Sequence, residues 1–269
     1  MKKALKYFVL LIGMVVFAYP FLWMIAGSLK PEIEISDLEL WSSKLSFHSY
    51  AQVFTKIPIG RAFLNSMFVS LSVTTLVVVL GSMVGYALAK LKFFGKSVLY
   101  LLILFTMMIP FQITLIPQYV LMVKLGWTDT YLSLIVPAMM SGFSIILFRQ
   151  FFMSVPQALI DAARIDGCSD LRILFQLIWP LSRPVIITVA ILTFMASWND
   201  VLWPLIVVRD RSMMTMPQIV TIFVTGGEAE SQLGLLLASA TLLALPVIVA
   251  YAFFQRYFIE SMAATGIKG

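Results

Sequence analysis

Cysteine and histidine are nearly missing from this chain: Cys168 and His48 each stand alone. One thiol makes no internal disulfide, and one imidazole without a nearby Cys supports neither a zinc site nor His-based catalysis. No His falls within an apolar run and no H-E-x-x-H helix occurs, which argues against intramembrane serine- and metalloprotease chemistry. Charge is scarce as well, at 12% of 269 residues, where a soluble domain carries about a quarter. Internal repeats, low-complexity tracts and flexible linkers are lacking. The nearest approach to a linker is the polar run Thr225-Gly226-Gly227-Glu228-Ala229-Glu230-Ser231. Gly95-Lys96-Ser97 looks like the end of a phosphate-binding loop, but that motif needs a glycine at position 90, where Lys90 stands, and a preceding strand. It reads instead as a turn at a membrane edge.

What is present is apolar surface. Hydrophobic residues make up 61% of the chain and the mean hydropathy is +0.97, which places it among polytopic membrane proteins with one membrane domain. The net charge of +6 does not indicate nucleic acid, because no basic cluster sits on a soluble fold. Basic residues at membrane edges explain it better. Six apolar segments are expected to span: 7–29, 63–89, 97–121, 131–149, 184–207 and 234–256. The first follows Lys2-Lys3-Ala4-Leu5-Lys6 and resembles a signal peptide. Its length exceeds an h-region of about 7–15 residues and suits a bilayer crossing of about 20, so it reads as an uncleaved span.

Lysine and arginine set the orientation. With the N-terminus inside, twelve fall in cytoplasmic segments and seven in outer ones, and the short Lys90–Lys96 turn weighs heavily because short loops carry the rule. Both termini are then cytoplasmic. Loops 30–62 and 208–233 face outward, and residues 150–183 face inward.

That inner loop reads as two short helices. Pro156 suits a first turn, and Gly167 supplies a left-handed stop after Asp166. Ser169 caps a second helix expected to end near Trp179, before Pro180. Asp161 and Arg164 are spaced i,i+3, while Ala162 and Ala163 keep one surface slim. Composition leaves two readings open: an amphipathic helix resting on headgroups, or a helix docked in a partner's groove.

Asp161-Ala162-Ala163, Gly167 and Leu177-Ile178-Trp179-Pro180 fall at the spacing of the loop signature of bacterial ABC importer permeases. That signature is Glu-Ala-Ala, three residues, Gly, nine residues, Ile-x-Leu-Pro. Three positions depart: Asp161, Leu177 and Trp179. Tyr86-Ala87-Leu88-Ala89-Lys90, Trp198-Asn199-Asp200, Leu202-Trp203-Pro204-Leu205, Gln255-Arg256-Tyr257-Phe258 and Gly266-Ile267-Lys268-Gly269 also resemble the carbohydrate-uptake group of these permeases, in particular the smaller maltose-type subunit. The likeness runs from about residue 60 to the end.

The resemblance implies an all-α fold of six membrane helices with a cytoplasmic coupling insert, divided as a first span and outer loop (1–60), a transmembrane core (61–256) and a cytoplasmic tail (257–269). It implies a non-enzymatic permease in the inner membrane, importing a mono- or oligosaccharide, with a non-sugar solute as the alternative. The expected partners are a second permease subunit, two ATP-binding subunits that hold ATP and Mg, and an extracytoplasmic sugar-binding protein, with no cofactor in this chain. By position, Pro156, Asp161, Ala162, Ala163, Gly167 and Pro180 inherit the ATPase-coupling role. Gly266, Ile267, Lys268 and Gly269 inherit tail docking between the ATPases, and Gly226 and Gly227 lie in the loop that meets the binding protein.

A self-contained secondary transporter is the further rival. It calls for repeats and ionisable groups at the midplane. Asp200 is the sole carboxylate within an expected span, about 24 Å along it from Pro184, too far outward for that role. With Asn199, Trp198, Trp203 and Gln112 it forms a candidate substrate path, the tryptophans offering aromatic faces. Pro204 is expected to kink this span by freeing the Asp200 carbonyl, and Pro110 and Pro117 to kink the third by freeing those of Thr106 and Ile113. Gly81 and Gly85 form a GxxxG pair suited to close packing within the subunit.

Overall fold

The computed structural model describes residues 2–35, 42, 44–226 and 232–266, with backbone alone for 2–4, 250 and 253–266. No strand occurs among them. Two helices cross without interruption: α1 (Lys2–Ser28), whose Leu5–Ser28 stretch is apolar, and α3 (Ile59–Lys90), preceded by the short α2 (His48–Lys56). Each exceeds the ~20 residues a bilayer demands.

The other spans are broken. In the third, α4 (Lys96–Met108) and α5 (Phe111–Leu125) meet at 99°. Pro110 pushes Ile109 to extended backbone, φ −83 and ψ 116, which no helix continues through. One expectation needs correction. The Thr106 carbonyl is not freed, because the Ile109 amide closes back onto it at 3.3 Å. Pro117 sits inside α5, which continues past it. The fourth span, expected unbroken, divides into α6 (Tyr131–Ile135) with a 3-10 turn through Pro137, then α7 (Gly142–Ser154), bent by 42°. Ser141 restarts it by accepting the Ser144 amide at 3.3 Å.

Between the fourth and fifth spans lie α8 (Gln157–Ile165) and α9 (Asp170–Arg172), which runs through a widened π segment, Ile173–Ile178, into α10 (Trp179–Leu181). The chain turns 89° into α11 (Arg183–Trp198). A short α12 (Leu202–Val207) follows. The kink expected at Pro204 is therefore elsewhere: the long helix has already stopped at Trp198, and Pro204 lies in the first turn of α12, where its missing N–H leaves nothing unsatisfied. After α13 (Met216–Thr225), α14 (Leu233–Gly266) opens with the apolar Leu233–Val249. The two unbroken helices, the bent pairs α4–α5 and α6–α7, α11 with α12, and the apolar start of α14 stand at the six expected spans.

The chain forms two compact units, 1–63 with 215–249, and 64–214 with 250–269. In the first, Glu32 accepts the Gly234 amide at 3.1 Å, placing a carboxylate at the N-terminus of α14 where the helix dipole favours it. Gly234 has no room for a side chain there, since a Cβ would stand 2.6 Å from Ser49 Oγ. In the second unit α3 and α7 pack closely. A Cβ on Gly85 would lie 2.7 Å from that of Phe148 and 3.1 Å from the Arg149 backbone nitrogen. The Gly81–Gly85 pair thus serves a contact within the subunit, as expected.

Candidate functional site

Three polar side chains on one face of α3, Ser82, Tyr86 and Lys90, repeat every four residues through its last turns. Each binds a different part of the segment between the fourth and fifth spans. The Trp179 indole Nε1 donates to Ser82 Oγ at 3.1 Å, the Tyr86 hydroxyl donates to Asp170 Oδ1 at 3.1 Å, and Lys90 Nζ donates to the Val155 carbonyl at 2.6 Å. Positions i, i+4 and i+8 lie over one another on a helix, so the stripe covers about 12 Å of its length.

The segment is folded by its own sequence. Pro156 precedes α8 as its cap, one residue ahead of the expected place. At the other end Gly167 takes φ +79, and the amides of Gly167 and Cys168 return to Arg164 and Ala163 at 3.0 and 2.9 Å, a Schellman closure that needs a residue tolerant of positive φ. Ser169 Oγ accepts the Arg172 amide at 3.4 Å and starts the next helix. That helix does not end before Pro180, as its sequence led us to expect. Widening to i+5 pairing across 173–178 changes which carbonyls need a donor, so the proline's missing N–H is accommodated, and the break falls at Ser182 instead.

Packing gives the segment two sides. Ile160, Ile173, Leu174 and Ile178 are buried. Facing away, Asp161 and Ala162 are exposed and Ala163 half-buried, flanked by Leu159 at 43% and Ile165 at 87% exposure. The anchored helix thus leaves apolar side chains bare on its outer side. Its polar rim is ordered: Gln157 donates to Asp161 at 3.0 Å, and Arg164 donates to Asp170 at 2.9 Å with Asp161 3.9 Å away. The Asp170 hydrogen bond raises the Arg164 pKa above its ordinary value. Both partners are partly exposed, so the pair adds only ~0.2–1 kcal/mol. Its importance is geometric, since Asp170 joins Arg164 on α8 to Tyr86 on α3.

At the far end of the spans the expected path residues divide. Trp198 is fully buried, stacked on Phe194 at 5.9 Å, and Trp203 is 4% exposed. The Trp203 indole donates to the Ser133 carbonyl at 2.8 Å and meets Phe111 edge-on at 6.3 Å. Neither offers the open aromatic face expected, because burial of large rings against neighbouring helices wins over display. Asp200 Oδ1 accepts the Trp203 amide at 3.4 Å, in the manner of an N-terminal cap for α12. Asn199 is exposed and donates to the Met195 carbonyl at 2.8 Å, and Gln112 is exposed in the first turn of α5. Gly226 closes α13, its amide on Ile222 O at 2.8 Å. Gly227 and Ile267, Lys268 and Gly269 lie outside the described residues, and Gly266 is described as the last helical position of α14.

The attachment made by Ser82, Asp170 and the Trp179 indole was missed, and Tyr86 and Lys90 entered for other reasons. The legible signal was the four-residue spacing of Ser82, Tyr86 and Lys90 at the end of α3.

Residues 77–263 match the family described as "Binding-protein-dependent transport system inner membrane component". The arabinooligosaccharides transport system permease protein AraQ of Halalkalibacterium halodurans is 36% identical over 93% of this chain and 91% of its own length. The protein of the same name from Bacillus subtilis is 33% identical over 99% and 95%. Among solved structures, a bacterial ABC transporter involved in import of the acidic polysaccharide alginate superposes with a TM-score of 0.83 at 24% identity, covering 95% of this chain and 96% of that one, which shows a shared fold. The match over most of the spans, the six-span helical architecture and the Asp-Ala-Ala to Pro180 spacing agree: the chain belongs to the binding-protein-dependent transport system inner membrane components, the membrane-embedded permeases of ABC importers, which are transporters rather than enzymes.

Proposed function

We propose that this chain is the translocation-path subunit of an importer for a mono- or oligosaccharide, moved by ATPase subunits that grip α8. The carrying observation is the three-point attachment of the 155–179 segment to α3, combined with the outward Leu159, Ala162 and Ile165. A surface helix held this firmly transmits a push instead of absorbing it. The sugar assignment rests on the arabinooligosaccharide relatives and on the family resemblance of Trp198-Asn199-Asp200.

In this reading both termini are cytoplasmic, and residues 61–256 form the transmembrane core, joined to a second permease chain. Two ATP-binding subunits supply all nucleotide and Mg chemistry. Pro156, Asp161, Ala162, Ala163, Gly167 and Pro180 shape the coupling element, and the tail 257–269, ending Gly266-Ile267-Lys268-Gly269, docks between the ATPases. The loop holding Gly226 and Gly227 meets a loaded sugar-binding protein outside. Gln112, Asn199 and Asp200 line the solute path, Asp200 also capping α12. ATP binding shifts the permease between inward- and outward-open forms because the ATPases bind the two forms with different affinity.

The test is reconstitution with the partner subunits and uptake of a panel of labelled arabinose, maltose and raffinose oligosaccharides beside an amino acid and a phosphate ester. ATP-dependent uptake of one saccharide class is expected. Uptake of the amino acid or phosphate ester alone would overturn the sugar reading, and uptake without ATPase subunits would overturn coupling.

A further inference from the structure

Beside the attachment stripe lies a half-open cleft of about 720 Å³, lined by Lys90, Lys92, Lys96, Asp161, Arg164 and Asp170 among others. It holds four cationic and two anionic side chains. Asp170 is taken up by Arg164 and Tyr86, and Asp161 by Gln157 and Arg164. Among the described residues no carboxylate pairs with Lys90, Lys92 or Lys96. Lys90 and Lys96 each give one N–H to a backbone carbonyl, Val155 and Leu91, leaving two further donors apiece. The cleft therefore presents surplus positive charge and unspent donors, the chemistry of an anion site.

A second hollow, about 670 Å³ and nearly all apolar, adjoins it and shares Phe93 and Lys96. Its wall is Phe94, Val98, Leu99 and Leu102. Phe94 is fully exposed, and Val98, Leu99 and Leu102 stand bare at helical spacing along the first turns of a spanning helix. A free anion has no use for that wall. A soluble protein partner does not fit it either, because the wall continues directly into α4, which runs into the bilayer.

We propose that these joined hollows hold one anionic phospholipid, its phosphate among Lys90, Lys92 and Lys96 and an acyl chain along Phe94, Val98 and Leu102. Occupancy places a lipid headgroup against Asp161 and Arg164 of α8, so membrane composition bears on the segment that the ATPases grip.

The experiment uses the assembled complex in nanodiscs and native mass spectrometry of retained lipid. Phosphatidylglycerol should be retained and phosphatidylcholine lost. Lys92→Gln with Lys96→Gln should weaken phosphatidylglycerol retention by roughly fivefold per lysine, about twenty-fivefold for the pair. Phe94→Ser, which keeps every charge, should shorten retention too, and ATPase association serves as the control for folding. Equal retention of both lipids, or indifference to the double variant, overturns the site. Displacement of phosphatidylglycerol by inorganic phosphate at matched concentration shows a free-anion site and overturns the amphiphile. Retention in the isolated permease that vanishes when the ATPases bind shows that they occupy the cleft, and overturns the proposal for the working transporter.

Discussion

The Tyr86 hydroxyl, on a side chain 3% exposed, donates to Asp170 Oδ1 at 3.1 Å across 84 residues of sequence, and the same oxygen accepts from Arg164 at 2.9 Å. One carboxylate oxygen thus links α3, α8 and α9. Tyr86→Phe removes a single hydrogen bond and little volume, at a cost of ~1 kcal/mol. The expected result is intact assembly and unchanged basal ATPase, with binding-protein-stimulated ATPase and uptake falling about fivefold. Equal loss of basal and stimulated rates would assign the pair to folding.

Trp179→Phe deletes the indole donor to Ser82 and leaves the aromatic body against Phe175, now 4.9 Å away. Combined with Tyr86→Phe, it should cost more than the sum of the single losses in stimulated uptake, because either tie alone still holds the segment. A double-mutant cycle reads this directly. Strict additivity would show that the ties act independently.

On the outward face of α8, Ala162→Arg and Ala163→Arg place a long cation where close approach is proposed. Loss of ATPase association of about 2 kcal/mol or more, roughly thirtyfold, is expected with membrane insertion intact. Pull-down of the ATPase subunit measures it, and normal uptake in both variants would remove α8 from the coupling role.

Close helix packing makes an asymmetric prediction. Gly85→Ala must displace Phe148 or the α7 backbone and should destabilise by ~1–3 kcal/mol, whereas Gly81→Ala meets Phe148 at 3.6 Å, ordinary contact, and should be near neutral. Thermal unfolding in detergent distinguishes them.

Asp200→Asn keeps an oxygen able to accept the Trp203 amide and so keeps the cap, whereas Asp200→Ala should lose ~1 kcal/mol of stability. Lower uptake at limiting sugar in the Asn variant, with assembly unchanged, would assign the charge itself to the solute path. Unchanged kinetics would leave Asp200 as a cap alone.

Much of this fold was readable in advance because hydrophobic run length reports directly on membrane crossing, and Gly167 and Ser169 act through local backbone rules that need no tertiary context. The breaks were harder to place. Pro110 ends a helix and Pro117 does not, although each removes one N–H. The residue before Pro110 is extended, whereas Pro117 lies inside a helix that continues past it although the proline is exposed, and residue type alone does not separate the two. Trp198 and Trp203 misled for a related reason: indoles suit an interface, a sugar or a core equally well, and burial is a property of the assembled helices. The stripe on α3 escaped because Ser82, Tyr86 and Lys90 are unremarkable one by one. Their meaning lies in partners between 65 and 97 positions away.

Those three anchors sit along a helix of 32 residues, about 48 Å of continuous rod, whereas the joints belong to the broken spans. Under the coupling role proposed above, a stiff member of that length would carry torque from the membrane surface with no stroke wasted at a hinge, and the kinked spans would yield to it.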